Sequence, residues 1–178
     1  MTRRAYAIRA ATPADAATVG RHRAAMFRDM GLVAPDDPGD ALAAATAGYL
    51  AEAMPAGLYA GWLAVAADGA PDAGLVVGGA GVQLRPIVPR PAPGGGVLTA
   101  PQALLLNVYT EPAWRRQGVA EALVRRSLDW ADARGASGVV LHASDAGRAL
   151  YERLGFRPTN EMAFHGALAA PLGRQRDP

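Results

Sequence analysis

The sequence predicts a mixed α+β fold in one domain, a central sheet of about six to seven strands flanked by about four helices. Three observations carry this. Hydrophobic periodicity runs strand, helix, helix, strand, strand, loop, strand, helix, strand, helix, and a closing strand pair. Residues 102–143 read as strand, crossover helix and strand, which requires the two strands to pair in parallel. Residues 58–84 read as two strands joined by a turn, which makes that pair antiparallel.

Taken in order, residues 6–10 alternate apolar and polar as a first strand. Thr12, Pro13 and Asp15 are a helix start: a hydroxyl cap, proline at the first helical position and a carboxylate in the first turn. That helix runs to about Met30, and Gly31 stops it. After the turn-rich residues 34–39, a second helix spans about 40–53. Strands at 58–66 and 74–84 flank a turn at 67–72. Residues 85–96 are too rich in proline and glycine for a central strand or helix and form a loop over the sheet edge or the site mouth. The fourth strand, 102–110, contains Leu104, Leu105 and Leu106, apolar on both faces as in a strand covered on both sides. A helix from about 117 to 134 places Ala120, Leu123, Val124, Ser127, Leu128 and Ala131 on one face, and Gly135 ends it. A fifth strand at 138–143 and a helix capped by Ser144 that runs to Leu154 follow. Residues 156–168 form the closing strand pair, and 169–178 are a frayed tail after a domain spanning 1–168.

The chemistry concentrates between residues 104 and 128. A buried strand leads through a sharp connection into an amphipathic helix, with Gly118 at the helix start. Amides at a helix start have no partner inside the helix and carry partial positive charge, so they receive anions. Gly118 lets an anion approach the backbone, and Arg115 and Arg116 add charge-assisted donors. Because every basic residue is arginine, arginines alone favour a plain solvated cluster. The run Arg115-Arg116-Gln117-Gly118-Val119-Ala120 fits Arg/Gln-x-x-Gly-x-Gly/Ala, and Leu150-Tyr151 with Gly155-Phe156 lies downstream. With the flanking strand and helix, this combination resembles the GNAT superfamily of N-acetyltransferases over residues 103–162.

The resemblance implies acetyl-coenzyme A as cosubstrate, its diphosphate held by Arg115, Arg116, Gln117, Gly118, Val119 and Ala120. It implies that the backbone of Val108, Tyr109 and Thr110 pairs with the pantetheine arm, with an amide near Val108 facing the thioester oxygen. Plain pairing with the fifth strand is the alternative. Tyr151 is implied as the acid that protonates the departing thiolate, against the alternative of a tyrosine packed at the core edge. Ser144 stands where many relatives have asparagine contacting the pantetheine arm, and a serine reaches less far. For the general base, Glu111, His142 and Asp145 lie near the cleft ends of their elements, and Glu111 is the first candidate. His22 and His165 read as ordinary structural residues, and Trp114 as packing that fixes the loop. Tyr49, Tyr59 and Trp62 line the acceptor pocket or belong to the core, with core preferred.

Composition narrows the classes. A net charge of +2 with no block of like charges disfavours nucleic acid as partner. No cysteine is present, which excludes a disulfide framework, a cysteine metal site and an acyl-cysteine intermediate. Three scattered histidines make no metal site. No apolar run is long enough to span a membrane, and the interrupted N-terminal region reads as cytoplasmic. The expected activity is direct acetyl transfer to a primary amine of a small molecule or peptide in a ternary complex. The alternatives are a non-catalytic acyl-coenzyme A sensor and, less well supported, a P-loop protein, which lacks its lysine here. Homodimerisation is common in the family, but no residue here specifies it.

Overall fold

The computed structural model describes residues 4–34, 36–37, 39–69, 72–92 and 94–163. Packing divides the chain into two compact units, Met1–Ser144 and Asp145–Pro178. The first unit contains strand β1 (Tyr6–Ala10), helices α1 (Ala16–Asp29) and α2 (Asp40–Ala53), and strands β2 (Ala60–Ala66) and β3 (Val76–Arg85). It continues with the short strands β4 (Arg90–Pro91) and β5 (Val97–Leu98), then β6 (Gln102–Thr110), α3 (Val119–Ala133) and β7 (Val139–Leu141). The described part of the second unit holds α4 (Asp145–Arg153).

The five-stranded sheet has the order β1-β2-β3-β6-β7; β6 and β7 are parallel and the other neighbours antiparallel. This is the mixed α+β arrangement the crossover and the hairpin require. β4 and β5 form a separate two-stranded ladder inside the Pro/Gly-rich segment expected as loop. Residues 156–163 form no strand, and the rest of the expected closing pair lies outside the described residues, as do His165 and the tail.

Side-chain alternation along β2 explains the layering. Leu63 joins the cluster of Ala16, Val19, Leu50, Ala53 and Tyr59, so α1 and α2 cover that face. Its neighbour Trp62 points the other way and meets Trp130 of α3 edge-on at 5.8 Å. Gly20 lets α1 and α2 touch through backbone: a Cβ there would lie 2.3 Å from the Ala43 carbonyl oxygen. The buried face of α3 is Val119, Leu123, Val124, Ser127 and Ala131, so Val119 takes a place expected for Ala120.

At the start of α1, Pro13–Asp15 form a 3-10 turn rather than the first α-helical turn. The Asp15 carboxylate accepts from the Thr12 backbone N–H and hydroxyl and from Arg9. The Arg9 bond, above all, holds that carboxyl far below the usual carboxylate range.

Candidate functional site

β6 positions the candidate site through a bulge. Gly81 pairs with Leu106 and Gly79 with Tyr109, so Asn107 and Val108 together oppose Ala80. Asn107 takes the left-handed φ of 57°. Its side chain fixes it there: Oδ1 accepts from Arg23 and Nδ2 donates to the Tyr59 hydroxyl at 3.2 Å. The extra residue reverses the pleat. Leu106 packs against the cluster under α1 and α2, and Tyr109, three residues on, also faces α1, where its ring lies 4.9 Å from that of His22. Parallel pairing with β7 ends at Leu105↔Leu141, so the stretch Leu106 to Thr110 runs on past the end of β7.

Beyond the bulge, Glu111 sits between two polar groups. Its Oε2 accepts from the Tyr109 hydroxyl at 3.2 Å, and its Oε1 lies 3.4 Å from His22 Nε2. Burial, then the Glu111 charge, pushes the Tyr109 phenol up to about 12. His22 is 2% exposed, and neither ring nitrogen has a hydrogen bond among the described residues. Burial, with a smaller effect from Arg21, pushes its imidazole down to about 4, outweighing the nearby carboxylate. The sequence reads His22 as an ordinary structural residue; its place on the inward stripe of α1 is legible there, its neighbour Glu111 is not.

The loop after Glu111 is braced at one end. Trp114 is buried, donates its indole N–H to Asp72, and lies under Arg4. Arg115 donates through Nε to the Thr110 carbonyl at 3.0 Å, pairs with Asp29 at 2.5 Å, and covers the Tyr109 ring. Its own backbone N–H donates to the Pro112 carbonyl. Gln117 accepts from the Arg4 N–H and donates to the Ala113 carbonyl. Arg116 is exposed and is the loop arginine without a partner among the described residues. Arg116 and Gly118 both have left-handed φ, 61° and 86°. The left-handed φ at Arg116, where glycine would be unstrained, carries no signal in a single sequence. No side chain caps α3 at Gly118, so among the described residues the first amides of α3, beginning at Val119 and Ala120, have no side-chain acceptor. Close by in the chain, the buried Thr110 hydroxyl also has no hydrogen-bond partner among the described residues.

The other named residues are dispersed. His142 is exposed and follows β7 directly; Ser144 is half-buried and closes the first unit. Asp145 opens α4 and is fully exposed, 4.0 Å from Arg148. Tyr151, in the second unit, stacks edge-on against Phe156 at 5.8 Å, and burial raises its phenol pKa. Tyr49 and Tyr59, together with Arg23, line a cavity of about 270 Å³ beside the bulge, whereas Trp62 belongs to the core. Among the described residues no group of three potential ligands could hold a metal, and no helix is long and apolar enough to cross a membrane.

Comparison with known proteins places this geometry. A GCN5-related N-acetyltransferase from Ralstonia eutropha JMP134 superposes with a TM-score of 0.73 at 30% identity, covering 90% of this chain and 97% of that one. A predicted acetyltransferase from Clostridium acetobutylicum, solved with acetyl-CoA, shares the fold at TM-score 0.72 and 22% identity, over 91% of this chain and 96% of that one. An aminoglycoside N-acetyltransferase in complex with CoA shares it at 0.63 and 20%, over 95% and 100%. No curated protein sequence matches significantly. The family model described as the acetyltransferase (GNAT) family matches residues 32–156, and the chain belongs to that family.

Proposed function

We propose that the protein transfers the acetyl group of acetyl-CoA directly to a primary amine of a small molecule or peptide, as a single catalytic domain. The observation that carries this reading is the conjunction of an uncapped helix start at Gly118 with a strand that outruns its parallel neighbour beyond Leu105. The first supplies amides for a diphosphate. The second leaves backbone donors and acceptors at Val108, Tyr109 and Thr110 for the pantetheine arm.

In this reading the amides from Arg116 to Ala120, including Gln117 and Val119, hold the diphosphate with the Arg116 side chain. Arg115 acts by bracing the loop on Thr110 and Asp29. The amine attacks the thioester carbonyl, a C–N bond forms, and the Val108 N–H stabilises the developing oxyanion. The C–S bond then breaks. Glu111 takes the proton of the attacking amine, and Tyr151 gives its proton to the thiolate. A phenol kept neutral by burial has that proton to give. Ser144 contacts the pantetheine arm.

The test is a screen of primary amines with acetyl-CoA, reading thiol release, beside a coenzyme A titration of wild type and Gly118→Val. Acetylation of at least one amine and loss of coenzyme A affinity in the variant are expected. Coenzyme A binding without acetylation of any amine would leave a sensor. Equal binding by both proteins would remove Gly118 from the site.

A further inference from the structure

We infer that the cavity beside the β6 bulge is the acceptor pocket and selects small primary amines that carry an anionic group, a carboxylate or a phosphate ester. This rests on the acetyl-transfer reading above and adds the substrate class.

The cavity, about 270 Å³, lies against α1, α2, β3 and β6. Its polar lining is Arg23, Thr46, Tyr49, Tyr59, Gln83 and Asn107: one cation and no carboxylate. Arg23 is half-buried. Its Nη1 donates to Asn107 Oδ1, and its guanidinium carbon lies 4.7 Å over the Phe27 ring. A guanidinium has five N–H donors, and that bond uses one. Among the described residues no carboxylate pairs with it, whereas Arg9, Arg115 and Arg125 meet Asp15, Asp29 and Glu121 at 2.7, 2.5 and 2.9 Å. A cation drawn partly out of water is most stable opposite an anion, and the planar fork suits carboxylate and phosphate oxygens.

Other donors surround the same space. The Tyr49 hydroxyl accepts from Gln83 Nε2 and keeps its own proton to donate. The Tyr59 hydroxyl accepts from Asn107 Nδ2 and likewise keeps its proton. Gly81 makes room for that ring: a Cβ there would lie 1.9 Å from the Tyr59 hydroxyl oxygen. The ring is therefore seated against bare backbone and held at the cavity. Position completes the argument. Asn107 borders the cavity and immediately precedes Val108, so an anion at Arg23 and an amine at the thioester fit within one small molecule. A polycation would meet Arg23 as a like charge.

The experiment uses the full chain, matched acceptor pairs, and both kinetics and calorimetry on the free and coenzyme A-loaded protein. One pair is an α-amino acid and its amide; the other is an amino sugar phosphate and the parent amino sugar. The expected result is tighter binding and higher kcat/KM for the anionic member of one pair, which also tells carboxylate from phosphate. In Arg23→Met this preference falls about 10- to 100-fold, as loss of a charge-assisted contact implies, with KM carrying the change. Arg23→Lys retains part of it. Thr46→Glu, which places a carboxylate in the cavity without touching the Asn107 bond, lowers it even if Arg23→Met does not fold. Equal handling of charged and neutral members by wild type, or an unchanged preference in the variants, overturns the inference while leaving acetyl transfer intact. Binding of the anionic member without any acetylation overturns the transfer reading and leaves the pocket.

Discussion

His22 Nε2 lies 3.4 Å from the Glu111 carboxylate, on a ring that has no hydrogen bond among the described residues. The imidazole is neutral when folded, with its pKa pushed down to about 4 by burial. The unfolded chain, with histidine near pH 6.5, therefore binds more protons on acidification. The stability that comes from keeping His22 neutral is fully present above pH 6.5 and is lost as pH falls toward 4. Between pH 7.5 and pH 5 the loss is about 2 kcal/mol. Urea unfolding at the two pH values measures it, and His22→Gln should flatten the difference. An equal difference in wild type and variant would refute the assignment.

The two left-handed residues of the connection should respond in opposite directions. Arg116→Gly relieves a strained φ of 61° and is expected to raise stability by about 1 kcal/mol in denaturant titration. Gly118→Ala introduces strain at 86° and should lower both stability and coenzyme A affinity, the latter by about tenfold. A destabilised Arg116→Gly protein would mean that its side chain contributes more than its backbone costs.

Gly20→Ala should destabilise the protein by about 1–3 kcal/mol, because its Cβ would lie 2.3 Å from the Ala43 carbonyl oxygen and the helices would have to separate. Gly48, on α2 with Ala43, has open space at its Cβ position and serves as control; Gly48→Ala should be neutral or stabilising. Thermal unfolding of the two variants compares them directly.

Tyr151→Phe removes only a hydroxyl from a ring that stacks on Phe156, so folding and coenzyme A affinity should stay close to wild type. As a proton donor to the thiolate, Tyr151 would be worth about 100-fold in kcat. Steady-state kinetics with the amine found by screening decides this; a kcat within twofold of wild type would exclude the role.

The sequence makes the elements readable where their chemistry is local. Pro13 marks a helix start by its fixed φ, Gly31, Gly118 and Gly135 mark helix ends by their access to positive φ, and the parallel β6–β7 pair follows from the length of its crossover. The candidate site is less legible because its groups meet through the bulge. In β6 the buried residues Ala103, Leu105, Asn107 and Tyr109 alternate without interruption, which conceals the pleat reversal at Asn107. His22 looked ordinary because its neighbour Glu111 is remote in the chain. The sequence reads Arg115 as an anion ligand; its pairing with Asp29 depends on where α1 ends and is not legible there. Neither Arg23 nor Gln83 belongs to a motif, and their common cavity exists only after folding.

The inserted position in β6 divides the labour along a single strand. Residues ahead of Asn107 answer to the scaffold and can change only as the interior allows. Those after it owe their orientation to one surplus peptide unit. Shortening the strand there by a single codon would keep every side chain of the Tyr109–Glu111 segment yet turn it toward α3, so the meeting of Tyr109 and Glu111 with His22 depends on a length as much as on any residue's identity.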